Sequence, residues 1–252
     1  MSRSTEVFAP LAADYARYRP GYPDALFETI WNELPTSRPR VLDLAAGAGA
    51  ATASLVGHGA RTVAVEPALA LLHRARASLD GRWVGGVAAR AEGLPFAGGT
   101  LALVTVAQAF HWFDARAALD EIARVLAPGG RLAVFWNVVL PDDFGREVYD
   151  LVGRWNAGYG RPVTQRMRAT PADLAAHEAF DVDAPREFYH ARPMDADRYV
   201  GYAFSWSYCG GALTPEQRAP FERELRGVVA RHHGDRLWEE RFVTVLHLAL
   251  RR

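Results

Sequence analysis

Residues 40–50 read Arg-Val-Leu-Asp-Leu-Ala-Ala-Gly-Ala-Gly-Ala, and residues 61–66 read Arg-Thr-Val-Ala-Val-Glu. Each opens as a short apolar run of the kind that forms a buried strand. The first breaks into small residues and, from Gly47 to about Gly57, continues as a helix. The second ends on an acid. A strand, a glycine turn, a helix and a second strand together predict a parallel β-α-β unit.

The pattern extends outward from there. Ala68–Leu79 reads as a helix with Leu69, Leu72 and Leu79 on one face. Trp83–Ala89 reads as a weaker third strand and Ala102–Ala109 as a fourth. Ala115–Leu126 is an amphipathic helix ended by Pro128-Gly129-Gly130. Arg131–Trp136 is a fifth strand. Continuously apolar strands alternating with helices predict an α/β sheet, mostly parallel, with helices on both faces. Phe242–Leu250 reads as an antiparallel closing strand, and Arg186–His190 as one further strand. A single domain over 1–252 is expected. It comprises N-terminal lid helices at 8–34, interrupted at Pro20–Pro23, a core at 40–137, a mainly helical cap at 142–233 and the closing strand at 242–250.

Composition narrows the chemistry. Acids and bases balance at 29 each, so no strong field draws the chain to nucleic acid or to an anionic membrane. Every basic residue is Arg, which excludes a lysine Schiff base and a P-loop. One cysteine, Cys209, cannot make an internal disulfide or a cysteine zinc site. No signal peptide or membrane-length apolar run is visible. A cytoplasmic protein is expected, monomeric or homodimeric, with a small-molecule substrate and no nucleic-acid, membrane or metal partner.

Four segments carry candidate chemistry. Asp43–Gly49 joins a strand to a helix through small residues, so backbone amides can approach a ligand. Glu66 stands at the end of the second strand, where an acid can accept both hydroxyls of an adenosine ribose and would repel a ribose phosphate. Ala91-Glu92 opens the loop after the third strand, where an acid can meet the amine of an adenine. Gln108-Ala109-Phe110-His111-Trp112-Phe113 follows the fourth strand, whose end should face the ligand crevice.

In order and spacing these segments resemble the class I S-adenosylmethionine-dependent methyltransferases. The similarity is to the small-molecule group akin to the menaquinone/ubiquinone and trans-aconitate methyltransferases, with a type 11 methyltransferase domain. VLDLAAGAGA resembles that family's VLDLGCGTG motif. VEPALALLHRA resembles its acidic-loop motif, and AEGLPF and LDEIARVLAPGGRLAVFW its later ones. FAPLAADYARYRPGYP is similar to its N-terminal segment, and AQAFHWF to a subgroup form of the fourth motif. Ala45 departs from the pattern, since the family usually has glycine there.

The resemblance implies a Rossmann-like fold and S-adenosyl-L-methionine as cofactor, with S-adenosyl-L-homocysteine as product. It implies that Asp43, Ala45, Gly47 and Gly49 surround the methionine end, with Glu66 at the ribose and Ala91 and Glu92 at the adenine. Pro67 and Leu71 would flank the base, and Gln108, Ala109 and Trp112 complete the site. Tyr15, Tyr18 and Arg19 would fold over the cofactor as a lid. His111 is the candidate general base, since its ordinary pKa of about 6.5 suits proton removal near neutrality. Tyr22, Tyr159, Ser205, Trp206 and Tyr208 are expected on the acceptor side. Three alternatives compete: an NAD-dependent oxidoreductase, a non-catalytic cofactor-binding protein and an RNA methyltransferase. The first is disfavoured because Thr52 stands where the dinucleotide fingerprint needs its last small residue.

Overall fold

The computed structural model describes residues 17–79, 84–156, 158–159 and 170–252. Five strands run parallel in the order β3-β2-β1-β4-β5. They are β1 (Arg40–Leu44), β2 (Arg61–Val65), β3 (Gly85–Val87), β4 (Leu101–Ala107) and β5 (Leu126–Val139). β8 (Trp238–Arg251) runs antiparallel to β5 and closes the sheet. Its other edge pairs with β6 (Phe180–Val182) and β7 (Arg186–Met194), both antiparallel. The sheet is therefore mostly parallel with an antiparallel closing strand.

Alternation along each strand builds two cores. Val41, Leu103, Ala133, Phe135, Leu246 and Leu248 face one side, under α1 (Asp24–Asn32) and α2 (Ala50–Gly57). Leu42, Leu44, Val104, Val106, Leu132 and Val134 face the other, under α4 (Ala115–Val125). α1 contributes Leu26, Phe27 and Ile30, all fully buried. Each such side chain stabilises the fold by roughly 1.5–3 kcal/mol, so Ile30→Ala would loosen α1 from the sheet.

A third core lies outside the sheet. α5 (Asp143–Trp155), α6 (Ala196–Phe204) and α7 (Pro215–His233) pack through Val148, Leu151, Val200, Phe221 and Leu225 onto Phe242 of β8. Their starts are fixed by side chains. Asp142 and Asp195 accept the Gly145 and Arg198 amides at 2.7 and 2.8 Å, and Thr214 forms a capping box with Gln217.

Several boundaries differ from the sequence expectation. α3 is Leu69–Ser78, and Leu69 is 57% exposed instead of facing the core with Leu72. α4 ends at Val125, before the Pro-Gly-Gly turn, because Leu126 already pairs with Leu101 of β4. The turn is then a bulge inside β5, where a Cβ on Gly130 would meet the Ala127 carbonyl at 2.9 Å. β7 and β8 are longer than expected because each supplies the other's hydrogen bonds over nine residue pairs. β6 was missed, since three residues carry no legible period.

Candidate functional site

The strand order reverses between β1 and β4, and the carboxyl ends of β1, β2 and β4 meet there. In open parallel sheets this switch point is where ligands bind. The loop leaving β1 is unusual in its backbone. Ala45 and Gly47 both take left-handed conformations, with φ 56° and 57°. For Ala45 that costs roughly 1–2 kcal/mol, which explains why glycine suits this position better. The Ala46 amide donates to the Val65 carbonyl at 3.0 Å, so the loop is pinned to β2. Gly49 (φ 89°) precedes α2, and a Cβ there would come within 3.0 Å of the Ala75 Cβ. Its glycine serves the packing of α2 on α3.

Glu66 follows β2 and is only 7% exposed. Its Oε2 accepts the Gly47 amide at 3.1 Å and its Oε1 the Ala68 amide at 2.9 Å. Burial raises its carboxyl above the usual range, against the pull of these two bonds. Each oxygen has two lone-pair sites, so each retains one acceptor position for a hydroxyl. The geometry fits a ribose diol.

Asp43 is fully buried on β1. Its carboxylate accepts the Thr52 hydroxyl at 2.5 Å and the Thr105 hydroxyl at 2.9 Å. Burial pushes its pKa up to about 6, with the threonine bonds opposing. Its role is to tie β1, α2 and β4 together beneath the loop. Leu71 likewise packs under the loop, against Ala48 and Ala68, while Pro67 is half-buried between Glu66 and α3.

On the far side of β2, Ala91 is buried in the core and Glu92 is held at 3.0 Å by both Arg90 and the Asp114 amide. Burial raises the Glu92 carboxyl, but these bonds outweigh it and keep it below the usual range. The same loop is clamped to α4, where Arg124 donates to the carbonyls of Leu94 and Phe96.

β4 ends at Ala107, and Gln108 after it is left-handed at φ 60° and donates its backbone amide to the Phe135 carbonyl at 2.9 Å. Ala109 is buried, and Phe110–Trp112 form one 3-10 turn. The half-buried rings of His111 and Trp112 lie 5.3 Å apart. The turn carries His111 just past the carboxyl end of β4.

Tyr15 lies outside the described residues. Tyr18 and Arg19 sit against the cap. The Tyr18 ring packs on Gly201 of α6, and Arg19 donates to the Ser205 carbonyl at 3.2 Å over the Tyr202 ring. Among the expected acceptor-side residues, Tyr159, Trp206 and Tyr208 share one aromatic cluster with Tyr149. Ser205 is buried in α6's C-terminal turn. Tyr22 is elsewhere, edge-on to Phe135 at 4.8 Å in the α1 core.

The sequence missed Asn137. Its side chain donates to the Gly21 carbonyl at 2.9 Å and accepts the Thr244 hydroxyl at 2.6 Å. Its carbonyl accepts from Gln108 Nε2 at 3.4 Å. Since Thr244 donates to Asn137, it accepts from His190 Nε2 at 3.1 Å, which fixes the proton on that nitrogen. Asn137 thereby links the N-terminal segment, the end of β4 and the closing strands. Only pairing of β5 with β8 brings these residues together, so no local motif announces them.

Known proteins share this arrangement. The profile of the methyltransferase domain family matches residues 42–134. An uncharacterised methyltransferase of Mycobacterium tuberculosis is 38% identical over 162 residues, 64% of this chain and 63% of that protein. The matched stretch therefore spans less than two thirds of that relative. A demethylmenaquinone methyltransferase of Clavibacter sepedonicus is 37% identical over 119 residues, 46% of this chain and 49% of its own. A solved candidate type II methyltransferase from Anaeromyxobacter dehalogenans shares the fold, with a TM-score of 0.64 at 24% identity, over 93% of this chain and 98% of its own. The chain is thus similar to the methyltransferase domain family over residues 42–134, and its 3-2-1-4-5 sheet with antiparallel closure is the fold of the solved neighbour.

Proposed function

We propose that the chain transfers a methyl group from S-adenosylmethionine to an oxygen, carbon or nitrogen of a small-molecule acceptor. The observation that carries this reading is the buried Glu66 carboxylate. It is fixed by the Gly47 and Ala68 amides at the switch point and keeps acceptor positions for a ribose diol. When bound, the cofactor supplies a methyl group already made electrophilic by its sulfonium. Glu66 holds the ribose. Ala45, Gly47 and the loop above Asp43 receive the methionine end. Glu92 and Ala91 face the adenine, with Pro67 and Leu71 beneath it.

The chain's remaining task is orientation, exclusion of water and proton removal. Gln108, Ala109 and Trp112 shape the transfer end, and Tyr15, Tyr18 and Arg19 close over it. His111 takes the acceptor's proton where the acceptor is neutral. A cytoplasmic monomer or homodimer acting without nucleic acid completes the reading. Among the described residues, no helix is long and apolar enough to cross a membrane.

Calorimetric titration tests the proposal. S-adenosylhomocysteine is expected to bind and NAD to bind far more weakly. Tight NAD binding with no response to S-adenosylhomocysteine overturns it in favour of an oxidoreductase.

A further inference from the structure

Gly201 stands inside α6, where alanine would suit a helix better. Its φ lies outside the left-handed region, so the backbone does not call for glycine. A neighbour does. A Cβ on Gly201 would fall 2.5 Å from the Tyr18 ring, far inside ordinary van der Waals contact. The ring therefore occupies the place that a side chain on α6 would take. It packs against the cap core there, and the Arg17 guanidinium lies 5.2 Å from its centroid.

Three hydrogen bonds tie the same segment to elements far along the chain. Arg192 of β7 donates to the Tyr18 carbonyl at 2.7 Å. Arg19 donates to the Ser205 carbonyl, at the end of α6, at 3.2 Å. Asn137 of β5 donates to the Gly21 carbonyl at 2.9 Å. Asn137 stands beside the end of β4, since its own carbonyl accepts from Gln108 Nε2 at 3.4 Å. Tyr18 and Gly21 are three residues apart, a reach of about 11 Å at most. Residues 18–21 therefore bridge the cap and the carboxyl edge of the sheet next to Gln108, before α1 begins at Asp24.

We propose that Gly201 and Arg192 are positioning residues for the cofactor, which seat Tyr18 on the cap and through it hold residues 17–22 across the carboxyl edge of the sheet. The inference rests on the methyltransferase reading, in which Tyr18 and Arg19 close over S-adenosylmethionine, and it adds what holds them in place. Gly201 supplies the space for the ring and Arg192 fixes the main chain beside it. Both act through Tyr18 and need not touch the cofactor. A segment seated in advance binds without first being ordered, whereas an unseated one must be ordered at the expense of affinity. The cap thus contributes to cofactor binding from outside the cofactor loop.

The test is calorimetric titration with S-adenosylhomocysteine, with the melting temperature of each variant measured alongside. Gly201→Ala should lower affinity by about fivefold or more. Its melting temperature should change little, because the helix gains what the displaced ring loses. Arg192→Ala should weaken binding by about threefold to tenfold, and Arg192→Lys, which keeps a donor, should recover most of that loss. Arg192→Ala carries the test if Gly201→Ala does not fold. In a Tyr18→Ala background, Gly201→Ala should cost no further affinity. An equal loss in that background overturns the proposal, because Gly201 would then act on something other than the ring. So does wild-type affinity in the folded single variants, whether or not they melt lower. If S-adenosylhomocysteine fails to bind wild type, the methyltransferase reading falls. If it binds wild type and both single variants alike, only the seat falls.

Discussion

The switch-point side, carried by β1, β2 and β4, and the helical cap of α5, α6 and α7 are built on different principles. On the cofactor side the shape is set by backbone. Left-handed Ala45, Gly47 and Gln108 turn the chain, and buried acids Asp43 and Glu66 hold those turns by hydrogen bonds. In the cap the shape is set by side-chain volume, through an aromatic and aliphatic core of its own. Small residues and fixed acids at set spacings are what a common cofactor demands. On the proposed function, large rings in no fixed order would suit a particular acceptor. The difference predicts that substitutions on the two sides fail in different ways.

The largest effect is expected at the point where the two sides meet. If His111 is the base, His111→Asn should lower kcat by roughly 10²–10⁴, with little change in cofactor affinity. The pH–rate profile should lose its limb near the histidine pKa. A mutant that instead loses cofactor affinity at normal kcat would move His111 from the acceptor to the cofactor side.

Next comes Glu66→Ala. Two charge-assisted bonds to a ligand, each about 1.5–3 kcal/mol before water restores part, give a loss in S-adenosylhomocysteine affinity of about a hundredfold. The sequence alone suggests little cost to the fold. The structure adds one, because the Gly47 and Ala68 amides lose their acceptor. Melting should fall with affinity, and unchanged affinity in the folded variant would put the ribose elsewhere.

A smaller effect is expected from pH. The Asp43 carboxyl titrates near 6 in the fold against 3.8 in the unfolded chain, so the native state holds the extra proton between those values. Stability from this group is therefore present below about pH 4 and lost as pH rises through 6. The 2.2-unit difference is worth about 3 kcal/mol at most. The raised carboxyl of Glu66 acts in the same direction. Asp43→Asn should fold and flatten the decline in melting temperature over that interval. An unchanged slope would mean the buried carboxylate is better solvated than its surroundings indicate.

The same difference explains what could be read from sequence. β1, β2, β4 and α4 were legible because apolar periodicity and the glycine loop are local signals. Leu69 misled because its spacing matches the buried face of α3, but it lies in the first turn, which the sheet does not cover. Glu66 and His111 were legible as ends of strands. Asn137, His190 and Thr244 were not, because their contact depends on the pairing of β5, β7 and β8 across the chain.

Hydrogen exchange with and without S-adenosylhomocysteine tests the division of the molecule most directly. The account predicts new protection at the amides of 45–49 and 66–71, and along the N-terminal segment to Tyr22 that Asn137 anchors at Gly21. It predicts unchanged exchange in α7, Pro215–His233. Protection concentrated in the cap, with the loop after β1 and the turn after β2 unaffected, would contradict it.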